Sequence, residues 1–222
     1  MAVEAAIRGL FTNVGYDGLL IACAHIESLQ VKLPATEFAC VVNAAPKRQR
    51  EFTAGRVLAR TLARQLGVEY CSLIRQQDRT PAWPETLTGS ITHCQTYCAV
   101  AVGRKELYPA VGLDIETIGR VELDLWESVF TEREIEYLET LPTEQAAYAA
   151  TVIFSAKESY YKFQYNYTQA WVEFHDIEVV LIDDQRGYLR TLHKDLAHLP
   201  PAVVWVQAVD RKTLATLICN EV

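Results

Sequence analysis

Two acidic residues, Asp114 and Glu116, stand two positions apart in the run Val111-Gly112-Leu113-Asp114-Ile115-Glu116. In an extended strand, residues so spaced project from one face. Their apolar neighbours point to a buried strand, where paired carboxylates repel and resist ionisation unless something positive holds them. A magnesium ion would do so, because it takes oxygen ligands and keeps several waters. An edge strand with an exposed acidic face is the alternative. A second constellation is Phe154-Ser155-Ala156-Lys157-Glu158-Ser159-Tyr160-Tyr161-Lys162. Glu158 and Lys162 are four apart and share a helix face. They read either as a surface ion pair of small worth or as a third metal carboxylate with a lysine placed beside it.

A third feature is basic. Lys47, Arg48, Arg50, Arg56, Arg60 and Arg64 are opposed only by Glu51 between positions 47 and 64. Residues 1–108 carry 12 Lys/Arg against 9 Asp/Glu, net +3, whereas 109–222 carry 9 against 19, net −10. A basic patch on an acidic chain suits a local anionic partner such as a phosphorylated ligand; a solvated helix face is the plainer reading.

The elements that must position these residues follow from pattern. Pro46 opens a helix that runs to Gly67, with Phe52, Ala59, Leu62 and Leu66 as its apolar stripe and Arg56, Arg60 and Arg64 as a second row. Thr80-Pro81-Ala82-Trp83-Pro84 cannot be regular helix. Gly89-Ser90 reads as a turn, Cys98 to Val102 as a strand, and Val111 to Glu116 as another after Pro109. Thr131-x-x-Glu134 is a capping box, with Phe130 and Ile135 as a hydrophobic staple; its helix should reach Leu141. Another helix starts near Thr143 and passes Lys162. Strands follow at Ile177–Ile182, Tyr188–Leu192, Val203–Val209 and Leu214–Cys219, with a hairpin turn at Asp183 to Gly187. Helices and strands mix without strict alternation, so the class is α+β, divided into halves of residues 1–108 and 109–222.

Composition excludes several classes. The chain has 222 residues, half of them hydrophobic and 22% charged, at net charge −7; this is a globular balance and not a disordered one. The acidic excess argues against a nucleic-acid binder. No apolar run has the length of a membrane span. Met1 to Leu10 carries Glu4 and Arg8 and lacks a secretory pattern, so a cytoplasmic location is expected. The six cysteines are scattered and read as free thiols; His93, Cys94 and Cys98 lack the fourth ligand of a zinc site.

The two signatures at 111–116 and 154–162 resemble those of the 4′-phosphopantetheinyl transferase superfamily. Lys47-Arg48-Gln49-Arg50-Glu51-Phe52 with Arg56, and Trp83-Pro84 to Gly89-Ser90-Ile91-Thr92-His93, look like the enterobactin-synthase-component-D branch of its Sfp-type members. Many members have Trp at the position of Phe154, which keeps the apolar wall but lacks an indole donor. The resemblance implies two similar α/β halves related by pseudo-twofold symmetry, with coenzyme A in the cleft. It implies transfer of the phosphopantetheine arm of coenzyme A to a serine of an apo acyl or peptidyl carrier protein, releasing adenosine 3′,5′-bisphosphate. Asp114, Glu116 and Glu158 would hold Mg2+ or Mn2+. Lys47, Arg48, Arg56, Arg75, Ser90, His93 and Lys157 would bind coenzyme A, with Arg48 and His93 at its 3′-phosphate and Lys157 on the pyrophosphate. Glu158 would be the base, directly or through a metal-bound water, and Lys162 would serve the leaving group. Leu123, Leu125, Trp126 and Val129 are candidates for carrier docking. A monomer without nucleic-acid partners is expected. The competing readings are a magnesium-dependent phosphohydrolase, a non-catalytic coenzyme A-binding protein and, more remotely, a cysteine hydrolase on His93 and Cys94; adjacent residues on an extended chain face opposite ways, which counts against the last.

Overall fold

The computed structural model describes residues 2–12, 16–199 and 202–220. The chain forms two compact units, Met1–Pro109 and Ala110–Val222. Each pairs an antiparallel sheet with one long helix, an α+β arrangement. Among the described residues no helix is long and apolar enough to cross a membrane.

The first unit contains α1 (Ala2–Ala5), β1 (Arg8–Gly9), β2 (Leu19–His25), α2 (Ala35–Phe38), α3 (Pro46–Gln65), β3 (Leu87–His93) and β4 (Tyr97–Arg104), with sheet order β1-β2-β4-β3. Proline at the first position of α3 loses no helical hydrogen bond there and presets φ. Phe52, Leu58, Ala59 and Leu62 of α3 are buried with Ala22, Ala24, Val100 and Val102 of the sheet.

Gly89 and Ser90 lie inside β3, opposite Val102 and Ala101 of β4, and do not form the expected turn. The glycine serves a close approach: a Cβ there would stand 2.4 Å from the ring of Trp83. The aromatic ring therefore lies directly on the strand backbone, and the flanking prolines keep the segment that carries it irregular.

The second unit contains β5 (Val111–Thr117), α4 (Trp126–Val129), α5 (Glu132–Glu139), α6 (Thr143–Thr168), β6 (Ile177–Leu181), β7 (Arg186–Thr191), β8 (Val203–Asp210) and β9 (Thr213–Cys219), with sheet order β5-β9-β8-β7-β6. The capping box forms as expected, Thr131 N–H donating to Glu134 at 2.8 Å and Glu134 N–H to the Thr131 hydroxyl at 3.3 Å. The helix behind it ends at Glu139, because Pro142 already caps α6 and the chain needs a turn before it. The apolar face of α6, including Ile153, Ala156, Tyr160 and Phe163, packs with Val179, Val204 and Ile218. Gly112 lets α6 touch β5: a Cβ there would fall 1.9 Å from the backbone oxygen of Ser159, so only glycine fits.

Candidate active site

The contact at Gly112 decides which α6 side chains can reach β5. Lys162 donates from Nζ to Asp114 Oδ1 at 2.6 Å and to the Leu113 carbonyl at 3.1 Å. Ser155 donates to the other carboxylate oxygen, Asp114 Oδ2, at 2.9 Å. Asp114 is only 4% exposed, so its charge is held by an ammonium and a hydroxyl in place of water, as a buried carboxylate requires. The (i, i+4) spacing of Glu158 and Lys162 thus leads to an ion pair across to the strand rather than along the helix.

Glu116 and Glu158 are half-buried beside this pair. Burial first, and the Asp114 carboxylate second, push the Glu116 carboxyl up to about 7, against the pull of Arg120 and Lys162. Burial also raises the Glu158 carboxyl; Lys162 opposes that shift and Asp114 adds to it. Glu116 and Glu158 each sense the Asp114 carboxylate as like charge, which a divalent cation relieves, and the three offer the oxygen donors that magnesium takes. They fit such an ion in chemical kind. Among the described residues, however, no three His, Cys, Asp or Glu side chains are already grouped as a metal shell.

Lys157 corrects the expectation that it grips a pyrophosphate. Its side chain is fully buried and ion-paired to Glu134 Oε2 at 2.6 Å, and it also donates to the carbonyls of Val129 and Phe174, both at 2.9 Å. All three ammonium hydrogens are used, and none is left for a ligand. Burial pulls the lysine down from its ordinary value while Glu134 supports its charge. Glu134 in turn accepts from Val179 N–H at 2.7 Å.

In the first unit the start of α3 meets the end of β3. Arg48 Nη1 lies 2.8 Å from His93 Nε2. Glu51 Oε2 lies 3.4 Å from each of these groups, and Glu51 Oε1 is 3.9 Å from Lys47. Arg48 and Lys47 keep 49% and 69% of their side chains exposed. One buried carboxylate thus aligns two exposed cations and an imidazole, and the cluster keeps a net positive charge that suits a phosphate.

The other expected phosphate ligands do not join it. Arg56 is 5% exposed, donates to the Leu73 carbonyl at 2.7 Å and stacks over Phe52; burial drops its guanidinium to about 10. Arg60, next in the row, donates to both oxygens of the fully buried Glu37 at 2.6 Å. Arg56 and Arg60 therefore hold the unit's own structure, one the loop at Leu73 and the other α2. Ser90 is three residues from His93 on an extended strand, hence on the opposite face, and is buried. Arg75 stands exposed where the loop after α3 bridges to Pro81.

Of the docking candidates, Leu123 and Leu125 are exposed, whereas Val129 is buried and Trp126 packs edge-on against Phe130. All six cysteines are free thiols. Sequence reasoning passed over Ser155, Ser159 and Thr216, although the two serines lie inside the motif that it singled out. Their signal was small hydroxyl residues facing an acidic strand at helical spacing.

Comparison with known proteins places both units. The 4′-phosphopantetheinyl transferase N-terminal domain model matches residues 36–103, and the 4′-phosphopantetheinyl transferase superfamily model matches residues 110–216. The 4′-phosphopantetheinyl transferase PptT of Mycobacterium tuberculosis is 29% identical over 189 residues, covering 85% of this chain and 82% of the relative. The 4′-phosphopantetheinyl transferase Svp of Streptomyces mobaraensis is 33% identical over 149 residues, 67% of this chain and 61% of the relative. Enterobactin synthase component D of Salmonella typhi is 37% identical over 124 residues, 54% of this chain and 50% of the relative. With one family matched along both units, and with Asp114, Glu116, Glu158 and Lys162 set at the β5–α6 contact of the second, the chain belongs to the 4′-phosphopantetheinyl transferase superfamily.

Proposed function

We propose that this chain transfers the 4′-phosphopantetheine arm of coenzyme A to a serine hydroxyl of an apo acyl or peptidyl carrier protein, releasing adenosine 3′,5′-bisphosphate. The observation that carries the reading is the meeting of β5 and α6, which gathers Asp114, Glu116, Glu158 and Lys162 in one unit. Mg2+ or Mn2+, held by Asp114, Glu116 and Glu158, supplies charge neutralisation to the pyrophosphate when bound.

Glu158 accepts the proton of the carrier serine, whose oxygen attacks the phosphorus that bears the pantetheine arm. A carboxylate raised by burial is a stronger base than an exposed one. The bond from that phosphorus to the bridging oxygen breaks, and the negative charge passes to the α-phosphate of the leaving adenosine bisphosphate. Lys162 spends two of its three hydrogens on Asp114 and Leu113 and offers the third to that oxygen. Lys47, Arg48 and His93 take the 3′-phosphate end of coenzyme A, and Arg75 is a further exposed cation for its phosphates.

The test is incubation with coenzyme A, magnesium and a panel of apo carriers. The expected result is a phosphopantetheine mass gain on the carrier, with adenosine 3′,5′-bisphosphate released only when an apo carrier is present. Release that needs no carrier would make the chain a phosphohydrolase instead.

A further inference from the structure

Asp114 is held from behind by hydroxyl groups for which the proposed chemistry has no use. Ser155 Oγ lies 2.9 Å from Asp114 Oδ2 and 2.9 Å from Thr216 Oγ1. Ser159 Oγ lies 2.8 Å from Thr216 Oγ1 and 3.0 Å from the Thr216 carbonyl. Ser155, Ser159 and Thr216 are each 0% exposed, so water does not compete for these bonds. Thr216 stands on β9 directly across the ladder from Asp114.

Counting hydrogens gives the chain a direction. Each hydroxyl has one hydrogen to donate. A carboxylate only accepts, so the hydrogen of Ser155 goes to Asp114. Thr216 must then be the donor to Ser155, and Ser159 the donor to Thr216, shared between its hydroxyl and its carbonyl. Every dipole in the sequence Ser159, Thr216, Ser155 points at Asp114 Oδ2, and bonds so aligned reinforce one another.

We propose that Thr216 is a positioning residue for the transfer reaction. Its hydroxyl donates to Ser155 Oγ and so strengthens the bond that Ser155 gives to Asp114 Oδ2, which fixes the carboxylate rotamer with Oδ1 on Lys162. The inference rests on the reading of Asp114 as a metal ligand. Outer partners of metal ligands have such effects elsewhere, and their loss typically weakens metal binding by about 10- to 100-fold.

The experiment measures Mn2+ binding to the protein alone, by paramagnetic resonance or calorimetry, and then transfer kinetics. Thr216→Val replaces the hydroxyl with a methyl and leaves the Thr216 carbonyl to Ser159. Its Mn2+ Kd should rise about tenfold, with kcat lowered and the coenzyme A KM unchanged; Thr216→Ser should restore both. Ser155→Ala, which removes the last link, should weaken Mn2+ more than Ser159→Ala, which removes the first. Both serine variants delete one oxygen from a fully buried helical site, so a purely structural role would make them alike. Wild-type Mn2+ affinity in Thr216→Val, or equal losses in the two serine variants, overturns the inference; the serine pair decides if Thr216→Val does not fold. Asp114→Asn separates the two levels. Wild-type Mn2+ binding in that variant refutes the metal reading and the inference with it, whereas loss there beside an unaffected Thr216→Val refutes the inference alone.

Discussion

The long helices of the two units use their basic residues in opposite ways. On α3 Arg56 and Arg60 of the regular row turn to the protein's own carbonyl and carboxylate groups, and exposed cations sit at the start of the helix. On α6 two lysines five positions apart are divided, Lys157 locked to Glu134 in the core and Lys162 at the β5 carboxylate with 27% of its side chain exposed. Regular spacing of charge is thus no guide to function. What separates the roles is whether the side chain's donors are already consumed by buried acceptors.

The largest effect expected is on chemistry. Asp114→Ala and Glu158→Ala should lower kcat/KM about a thousandfold with far-ultraviolet circular dichroism unchanged; near-normal transfer by either would remove it from the site. Next comes Lys157→Met, which leaves Glu134 charged and buried. It should cost about 3–5 kcal/mol of stability in urea unfolding, while folded enzyme keeps its coenzyme A KM. A KM effect without a stability loss would restore Lys157 as a ligand.

Lys162→Ala should show the converse, with kcat down about a hundredfold and coenzyme A affinity little changed. Weakened binding at full kcat would make Lys162 a clamp. Arg48→Ala should raise the KM for coenzyme A about tenfold, the worth of one charged hydrogen bond to phosphate, and should abolish discrimination against the 3′-dephospho form. Arg64→Ala, at an exposed pair 4.0 Å from Glu69, should change neither activity nor stability measurably.

The smallest effect that should be measurable is on pH. A Glu116 carboxyl held at about 7 means that the folded, metal-free protein binds more protons than the unfolded chain above the ordinary glutamate range. Stability of that form should therefore fall as pH rises toward 7. Added Mg2+ should raise Tm more at pH 8 than at pH 6, because it binds the deprotonated carboxylates. A shift independent of pH would place the ion elsewhere.

Local rules were enough to read much of this from sequence. The capping box at Thr131, the helix from Pro46, the α6 helix and the strand bearing Asp114 all follow from patterns within a few residues. What escaped depends on partners distant in the chain. Nothing near Lys157 announces Glu134, and nothing near Arg56 announces the Leu73 carbonyl. Gly89 reads as a turn in the sequence because its reason, the ring of Trp83, is tertiary. The direction of Lys162 toward β5 needed the contact at Gly112, which spacing along α6 alone does not contain.

The carboxylate of Glu134 has a consequence for motion. It accepts the amide hydrogens of Thr131 at the start of α5 and of Val179 in β6 while it pairs with Lys157 of α6. An opening that exposes one of these amides must strip the same buried carboxylate from its lysine, so local fraying at either place is suppressed. In hydrogen–deuterium exchange, the Thr131 and Val179 amides should be released together, with the same opening free energy, although they belong to different elements. Lys157→Met should accelerate both in parallel.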